Sequence, residues 1–399
     1  MSPPVFVAGI GAISAIGNNV SENLQALKKG QTGIGNIKYL RTNYSSLLPA
    51  GEVKLNNDEL AALSGFAPFI SRTAMLSLIA AREALNDAEI NHLPNLRLGF
   101  VSSSTVGGMD KTEDFFSAFL SDPKKGKLRS VVNHECGAIT ALVADKLGIK
   151  HHLSTINTAC SSSANAIMYG SRLIKNNIVD AVITGGTDSL TRFTVNGFNT
   201  LMILDDQYCK PFDNDRHGLN LGEGAGYVLL VSDRVAGMLK KEPYCSIAGY
   251  HNANDAYHQT ASSPEGDGSF WAMDGAIKMA GLEPSDIDYI NLNGTGTQNN
   301  DNSEGTAIKR LFQSHFPKMS STKSFTGHTL GASAGIEAVF SASSAKHGYI
   351  YPNLRFQTPM EGLDLVPENT FSTSDNLKHV FSNSFGFGGN CSSLVFSKL

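Results

Sequence analysis

The stretch LSTINTACSSSANAIMYGSRLIKNNIVDAVITGG, residues 153–186, decides the fold class. It opens with a predicted strand at 153–158, passes through small residues from Ala159, and continues in a helical pattern to about Lys175. A second predicted strand follows at 180–184 and is followed by two glycines. This alternation of strand, helix and strand predicts an α/β protein with largely parallel sheets covered on both faces.

The same alternation continues on both sides of this stretch. Before it, the pattern predicts a strand at 5–8, helices at 20–29 and 71–87, and a strand at 98–102; after it, strands at 244–248 and 288–293 and helices at 269–280 and 303–312. Because the order repeats after a charged segment near residue 240, we expect two similar halves, 1–243 and 244–399. A site between such halves would take loops from both.

Composition narrows the class of protein. With 399 residues, of which 41% are hydrophobic and 17% charged, the chain can bury a large core. Its net charge of −4 gives no overall field that would attract nucleic acid. No apolar stretch approaches the ~20 residues of a membrane-spanning helix, and no Lys or Arg precedes the short apolar run at the N-terminus. We therefore expect a soluble cytoplasmic protein that binds neither nucleic acid nor membrane.

Cys160 is the candidate nucleophile. The five cysteines are odd in number and lack CxxC or Cys/His spacing, so neither a disulfide framework nor a metal site is predicted. Only Cys160 lies in a run of small residues before a helix, where free amides and the helix dipole favour a thiolate and can bind a carbonyl oxygen. The alternative is a small buried residue in a helix–sheet contact, and that interpretation holds for the other four: Cys136, Cys209, Cys245 and Cys391.

His328 is the strongest candidate partner for this thiol. It lies in KSFTGHTLGASAG, residues 323–335, where glycine precedes it and small residues after it would let a helix pack tightly beneath a site. The alternative is a capping or surface histidine in a glycine-rich loop.

Five segments together resemble the β-ketoacyl-[acyl carrier protein] synthase I/II family of the thiolase fold. They are TACSS (158–162), PFD (211–213) with GEGAG (222–226), NGTGT (293–297), KSFTGHTLG (323–331) and NSFGFGG (383–389). They stand in the family's order over nearly the whole chain. The resemblance implies duplicated halves in a five-layered αβαβα arrangement, a dimer, and decarboxylative Claisen condensation of an acyl thioester with malonyl-ACP.

The resemblance also implies roles for individual residues. Cys160 would accept the acyl chain, its amide and that of Phe387 would form the oxyanion hole, and His328 would hydrogen-bond the malonyl thioester carbonyl. The resemblance further implies a buried ion pair of Lys323 with Glu304 and hydrogen bonds from Thr295 and Thr297 to phosphopantetheine. Val106 and Phe198 would line the acyl pocket. A loop around Phe387 would gate acyl entry, and Phe385 would contact the substrate. Phosphopantetheine would enter on the carrier protein, and no cofactor would be bound permanently.

Asn293 departs from the family pattern. The family branch has His-Gly-Thr where this chain has Asn293-Gly294-Thr295, and that histidine assists decarboxylation. Asn can donate an N–H to a developing enolate oxygen but cannot exchange a proton near neutral pH. Related branches use Cys, His and Asn together, although there the histidine precedes the asparagine. A milder departure is His217, where aspartate is usual and structural drift in a loop is the alternative.

The basic run at 124–129 is the predicted docking site for an acidic carrier protein. It contains Lys124, Lys125, Lys127 and Arg129. By itself such a run is more often a solvated loop, but its family position lies near the pantetheine entrance.

Three functions stay open at this stage. The first is chain elongation in fatty acid synthesis, and the second is a specialised ketosynthase making polyketide or polyene chains. The third is a non-condensing subunit that transfers acyl groups or shapes a partner's pocket. The oligomer would be a homodimer or a heterodimer with another synthase-like subunit.

Overall fold

The computed structural model describes residues 3–93 and 95–399. The strands are β1 (Val5–Ser14), β2 (Leu98–Ser103), β3 (His152–Ile156), β4 (Ala181–Asp188), β5 (Gly224–Ser232), β6 (Cys245–Asn254), β7 (Tyr289–Asn291), β8 (Lys318–Ser320), β9 (Tyr349–Ile350), β10 (Ser372–Thr373), β11 (His379–Phe385) and β12 (Asn390–Ser397). The helices are α1 (Val20–Lys29), α2 (Asn57–Ser64), α3 (Arg72–Asp87), α4 (Met109–Ser121), α5 (Cys136–Leu147), α6 (Ser162–Lys175), α7 (Arg192–Thr200), α8 (Asp233–Ala236), α9 (Asp267–Ala280), α10 (Gln298–Phe312), α11 (Lys323–Thr326) and α12 (Ser333–His347).

Two sets of five strands follow one scheme and mirror each other. The first set has the order β3-β2-β4-β5-β1, and the second continues from it as β6-β12-β11-β7-β8. In each set the three strands farthest from the β1–β6 junction are parallel to one another, and the remaining pairs are antiparallel. The prediction of largely parallel sheets is therefore wrong. Long connections before β5 and the tight turn between β11 and β12 return the chain in the opposite direction.

Helices form layers between and outside the two strand sets. Helices α6 and α12 pack against each other, and α12 contacts β5 of the first set and β11 of the second. Helix α3 covers the outer face of the first set, and α9 with α10 covers that of the second. The shared middle layer buries side chains of both halves in one core, as with Val182, Ile336 and Val380. The layered α/β fold predicted from the resemblance is confirmed.

The junction of the two sets is a short antiparallel contact in which Phe6 and Val7 of β1 pair with Ser246 and Cys245 of β6. The domain boundary after residue 243 stays a prediction. Within the described residues, no helix has the length and apolar character needed to cross a membrane.

Candidate active site

Cys160 lies in a strained turn between β3 and α6. Ala159 has a left-handed backbone with φ of 53°, a conformation that costs roughly 1–2 kcal/mol for a residue with a side chain. Hydrogen bonds hold the turn: the Thr158 amide donates to Ser162 Oγ at 2.8 Å, and Ser161 Oγ donates to the Thr158 carbonyl at 2.8 Å. Cys160 therefore stands just before the helix, whose first residue is Ser162.

The Cys160 thiol is neutral at rest. Cys160 is only 7% exposed, and burial raises the pKa of its thiol to about 11. The charge of Asp188 also raises this pKa, by a smaller amount. The amide of Phe387, the ammonium of Lys323 and the amide of Cys160 itself act in the opposite direction. The amides therefore act in the predicted direction, toward the thiolate, but desolvation outweighs them.

The turn after β11 brings Phe387 to the nucleophile. Gly386 packs so closely on the Cys160 turn that a methyl group on it would lie 3.1 Å from the Cys160 amide nitrogen. The Asn390 side-chain oxygen ties this turn to α6 by accepting bonds from Ser161 Oγ at 2.7 Å and Asn165 Nδ2 at 2.8 Å. Sequence reasoning missed Asn390, although it directly follows the glycine-rich motif.

His328 is a neutral hydrogen-bond donor toward the site. Its Nδ1 accepts from the Leu330 amide at 3.2 Å and faces Ser333 Oγ at 3.1 Å. Thr329 Oγ1 donates to Ser333 Oγ, so the serine proton is free to point at Nδ1. Burial, aided by the charge of Lys323, lowers the pKa of His328 to about 3. These contacts assign the proton of the imidazole to Nε2.

The ion pair of Lys323 is formed with Glu337 of α12, and the predicted pairing with Glu304 is wrong. Lys323 Nζ lies 2.7 Å from Glu337 Oε1, with side-chain exposures of 1% and 3%. Glu304 instead accepts the amides of Asn293 and Gly294 at 2.9 and 2.8 Å. Burial raises the pKa of Glu304 to about 7.

Asn293 is 1% exposed, and the protein occupies its side chain. Nδ2 donates to Asn300 Oδ1 at 2.8 Å and to the Phe385 carbonyl at 3.4 Å. Lys323 Nζ donates to the Asn293 carbonyl at 2.7 Å and approaches Oδ1 at 3.4 Å. Both amide hydrogens are thus used within the protein.

A cavity of about 240 Å³ brings the predicted nucleophile, its histidine partner and five predicted substrate-contacting residues together. Its walls include Cys160, His328, Thr295, Thr297, Phe198, Phe385 and Phe387. The rings of Phe198 and Phe387 stack with centroids 5.7 Å apart, and the hydroxyls of Thr295 and Thr297 lie 2.9 Å apart. Sequence reasoning did not anticipate Asn300 in this wall, and His217 also lies there.

Other predicted residues lie outside the cavity wall. Asn293, Lys323 and Glu304 are buried behind it, and Val106 packs with Leu330 in an adjoining apolar cluster that also touches Phe198. The predicted docking residues Lys124, Lys125, Lys127 and Arg129 are exposed on the loop after α4. Arg129 stacks over Phe69, with its guanidinium carbon 5.1 Å from the ring centroid.

Comparison with known proteins gives the same result over the whole chain. The sequence models of the beta-ketoacyl synthase N-terminal and C-terminal domains match residues 2–236 and 244–357. The 3-oxoacyl-[acyl-carrier-protein] synthase 2 of Staphylococcus aureus (strain COL) is 36% identical over 407 residues, which cover 99% of this chain and 98% of that protein.

Two solved structures extend the comparison to three dimensions. The structure described as the ishigamide ketosynthase/chain length factor aligns with a TM-score of 0.94 at 28% identity and covers 100% of both chains. A chain of the structure described as the ketosynthase ApeO in complex with its chain length factor ApeC from Xenorhabdus doucetiae aligns with a TM-score of 0.85 at 30% identity, covering 100% of this chain and 98% of that one.

The layered fold and a cavity that joins a cysteine to a neutral histidine define a condensing enzyme of the thiolase-like class. The chain belongs to the β-ketoacyl synthase family, and it is a condensing acyltransferase. The predicted family, fold and enzyme class are confirmed.

Proposed function

We propose that the reaction begins with acyl transfer from an acyl carrier protein to Cys160. The sulfur attacks the thioester carbonyl, and the pantetheine thiol leaves with the proton that Cys160 gives up. The amides of Cys160 and Phe387, both directed at the sulfur, bind the oxyanion of the tetrahedral intermediate. The stacked rings of Phe198 and Phe387 border the cavity, which supports a gating role for the Phe387 loop.

Malonyl-carrier protein then loses CO2, and the electron pair of the broken C–C bond forms an enolate. We propose that His328 Nε2–H donates to the enolate oxygen, while Thr295 and Thr297 bind the pantetheine arm. The enolate carbon attacks the acyl thioester on Cys160, and the cysteine sulfur leaves as a thiolate that takes up a proton from solvent, giving the β-ketoacyl product and the neutral thiol. The observation that carries this proposal is the neutral His328 donor in the same cavity as Cys160.

Asn293 supports the site in this proposed reaction and does not bind the enolate. Because its amide hydrogens bond Asn300 and Phe385, it has no free donor for the enolate. We infer that it holds the Lys323 ammonium and the end of β11 in place, and that His328 alone stabilises the enolate.

The partners follow from the same proposal. The exposed basic loop with Lys124, Lys125, Lys127 and Arg129 supports carrier docking, with the substrate arriving on phosphopantetheine in the cytoplasm. The ApeO structure contains a ketosynthase with its chain length factor, which supports a second synthase-like chain as a partner. Strand β3 forms an edge of the sheet with Leu153 42% exposed, and that edge is the surface we propose for dimerisation.

The test separates the two half-reactions. Purified protein is incubated with acyl-ACP and malonyl-ACP, and Cys160 acylation is followed by mass while CO2 release is measured independently. His328→Ala is expected to keep acylation and to lose CO2 release by about 100-fold to 1,000-fold, the cost of removing one oxyanion donor. His347→Ala, at an exposed position of α12, is the matched control and should match the wild type in both.

Two outcomes would change the proposal. Acylation without CO2 release by the wild type would favour the alternative of a partner-dependent or non-condensing subunit. Asn293→His tests whether the missing histidine limits decarboxylation. An increase in CO2 release is the expected result, since imidazole would restore the histidine that the family branch has at this position, and an unchanged rate would refute that account.

A further inference from the structure

Asp188, at the end of β4, is a buried acid without a cationic partner. It is 0% exposed, and within residues 3–93 and 95–399 no Lys or Arg nitrogen lies within 4.0 Å of its carboxylate. Its oxygens accept bonds from Ser104 Oγ at 2.7 Å, Thr105 Oγ1 at 2.6 Å and the Gly331 amide at 2.7 Å, and from the amides of Thr105 and Val106 at 2.9 and 3.1 Å. Leaving a carboxylate buried without a counter-ion is costly, so these donors must hold it tightly.

These bonds join the loops on both sides of the cavity. Ser104 to Val106 follow β2 and lead into the apolar cluster beside Phe198. Gly331 follows Leu330, whose amide fixes the tautomer of His328. One carboxylate therefore holds the loop of the proposed acyl pocket and the loop of the proposed enolate donor.

The Gly331 peptide extends the network to the nucleophile. Its carbonyl accepts from Ser103 Oγ at 3.1 Å and from Ser163 Oγ, which stands in the first turn of α6. Asp188 thus accepts a hydrogen bond from the Gly331 amide, and Ser163 of α6, the helix that follows Cys160, donates one to the Gly331 carbonyl. A shift of this peptide would change the separation of Cys160 and His328.

The charge of Asp188 also reaches the nucleophile. The charged groups that act on the Cys160 thiol are Lys323, which lowers its pKa, and Asp188, which raises it. The neutral His328 lines the same cavity as Cys160. Loss of the Asp188 charge should therefore favour the thiolate even where it disturbs the geometry.

We propose that Asp188 is a positioning residue that sets the placement of His328 relative to Cys160 through the Gly331 peptide. This inference rests on the proposed roles of Cys160 and His328. Asp188 touches no substrate, and its effect on the reaction passes through the groups it holds.

Asp188→Asn tests the proposal, with Asp180→Asn as the matched control. Asp180 stands just before the other end of β4, about 26 Å away at ~3.3 Å per residue, and binds Arg97 and Arg234. Alkylation of Cys160 by iodoacetamide is measured against pH and localised by peptide mass, and acylation and CO2 release are measured separately. In Asp188→Asn the alkylation midpoint should move to lower pH, while CO2 release per acylated enzyme falls about 10-fold to 100-fold.

Opposite effects on the alkylation midpoint and on CO2 release distinguish a positioning role of Asp188 from a general loss of structure. A merely structural role would slow alkylation, acylation and CO2 release together, and Asp180→Asn should change none of them. The proposal is overturned if Asp188→Asn keeps both the wild-type alkylation profile and the wild-type CO2 release. If the wild type itself releases no CO2, the proposed function fails. The alkylation shift in Asp188→Asn would still measure the effect of Asp188 on the Cys160 thiol.

Thr105→Val covers the case in which Asp188→Asn does not fold. It removes the 2.6 Å bond to Asp188 and retains the carboxylate charge, so CO2 release should fall several-fold with the alkylation midpoint in place. Thr306→Val removes a hydroxyl bond on the exposed face of α10 and serves as its control. Wild-type CO2 release in Thr105→Val would refute the positioning role.

Discussion

Removing Glu337 should destabilise the protein strongly, because it leaves the Lys323 ammonium buried without its carboxylate. The two side chains are 1% and 3% exposed, and their charged atoms lie 2.7 Å apart. Breaking a buried pair by removing one partner costs roughly 3–5 kcal/mol. That is a large fraction of the ~5–15 kcal/mol by which domains are usually stable. Urea denaturation of Glu337→Leu, followed by circular dichroism, measures the loss.

The double variant Lys323→Met/Glu337→Leu separates stability from activity. An apolar pair of similar volume should restore most of the free energy of unfolding, because neither charge is then buried. Activity should not return with it. Lys323 lowers the pKa of Cys160 and holds the carbonyl of Asn293, so its loss raises the pKa of the thiol further and slows alkylation at pH 8.

The control is the exposed pair of Lys278 with Asp274 on α9, whose charged atoms also lie 2.7 Å apart. Its i,i+4 geometry in water is worth only about 0.3–0.5 kcal/mol, so Lys278→Met should scarcely change the urea midpoint. The reasoning is refuted if Glu337→Leu is as stable as the wild type, or if the double variant is no more stable than the single one.

Three further predictions concern the nucleophile and its surroundings. Because the pKa of Cys160 is raised to about 11, its alkylation rate should climb about tenfold per pH unit through pH 8–10, and a plateau below pH 9 would contradict the neutral resting thiol. Gly386→Ala should slow acylation because the added methyl lies 3.1 Å from the Cys160 amide, whereas Gly197→Ala, with open space around it, should not. Reversing the three lysine charges between 124 and 127 should weaken carrier-protein binding and its salt dependence, and unchanged affinity would remove the docking proposal.

The sequence predicted helices and strands well where one face is apolar. Helix α1 has the predicted bounds, and α3 begins one residue later than predicted. Strand β1 was predicted too short, since Gly9 and Gly11 resemble a turn. In the structure they lie within the strand, where methyl groups would come within 2.2 and 2.0 Å of carbonyl oxygens of α3. These glycines allow helix and strand to touch, a demand that exists only in the packed fold.

The first turn of α10 shows a second reason why secondary structure is difficult to predict from sequence. The helix begins at Gln298, five residues before the predicted start, in a run of polar residues with low helix propensity. Asp301 in this turn is fully buried and accepts amides from Phe212 and Thr295 at 2.9 Å. Contacts from distant loops thus stabilise a turn whose own sequence disfavours it. The cavity residue Asn300 was missed for the same reason.

The partner of Lys323 illustrates why buried charge is difficult to assign from sequence. The lysine was recognised by its motif, but its counter-ion lies on α12, whose residues from Ser333 to Ala345 are all buried and so show no amphipathic pattern. Glu337 is the one charged residue within that span. A lone acid in a helix of small and apolar residues requires a buried partner, and Lys323 supplies it at 2.7 Å. That argument would have selected Glu337 over Glu304, whose neighbouring amides already satisfy its carboxylate.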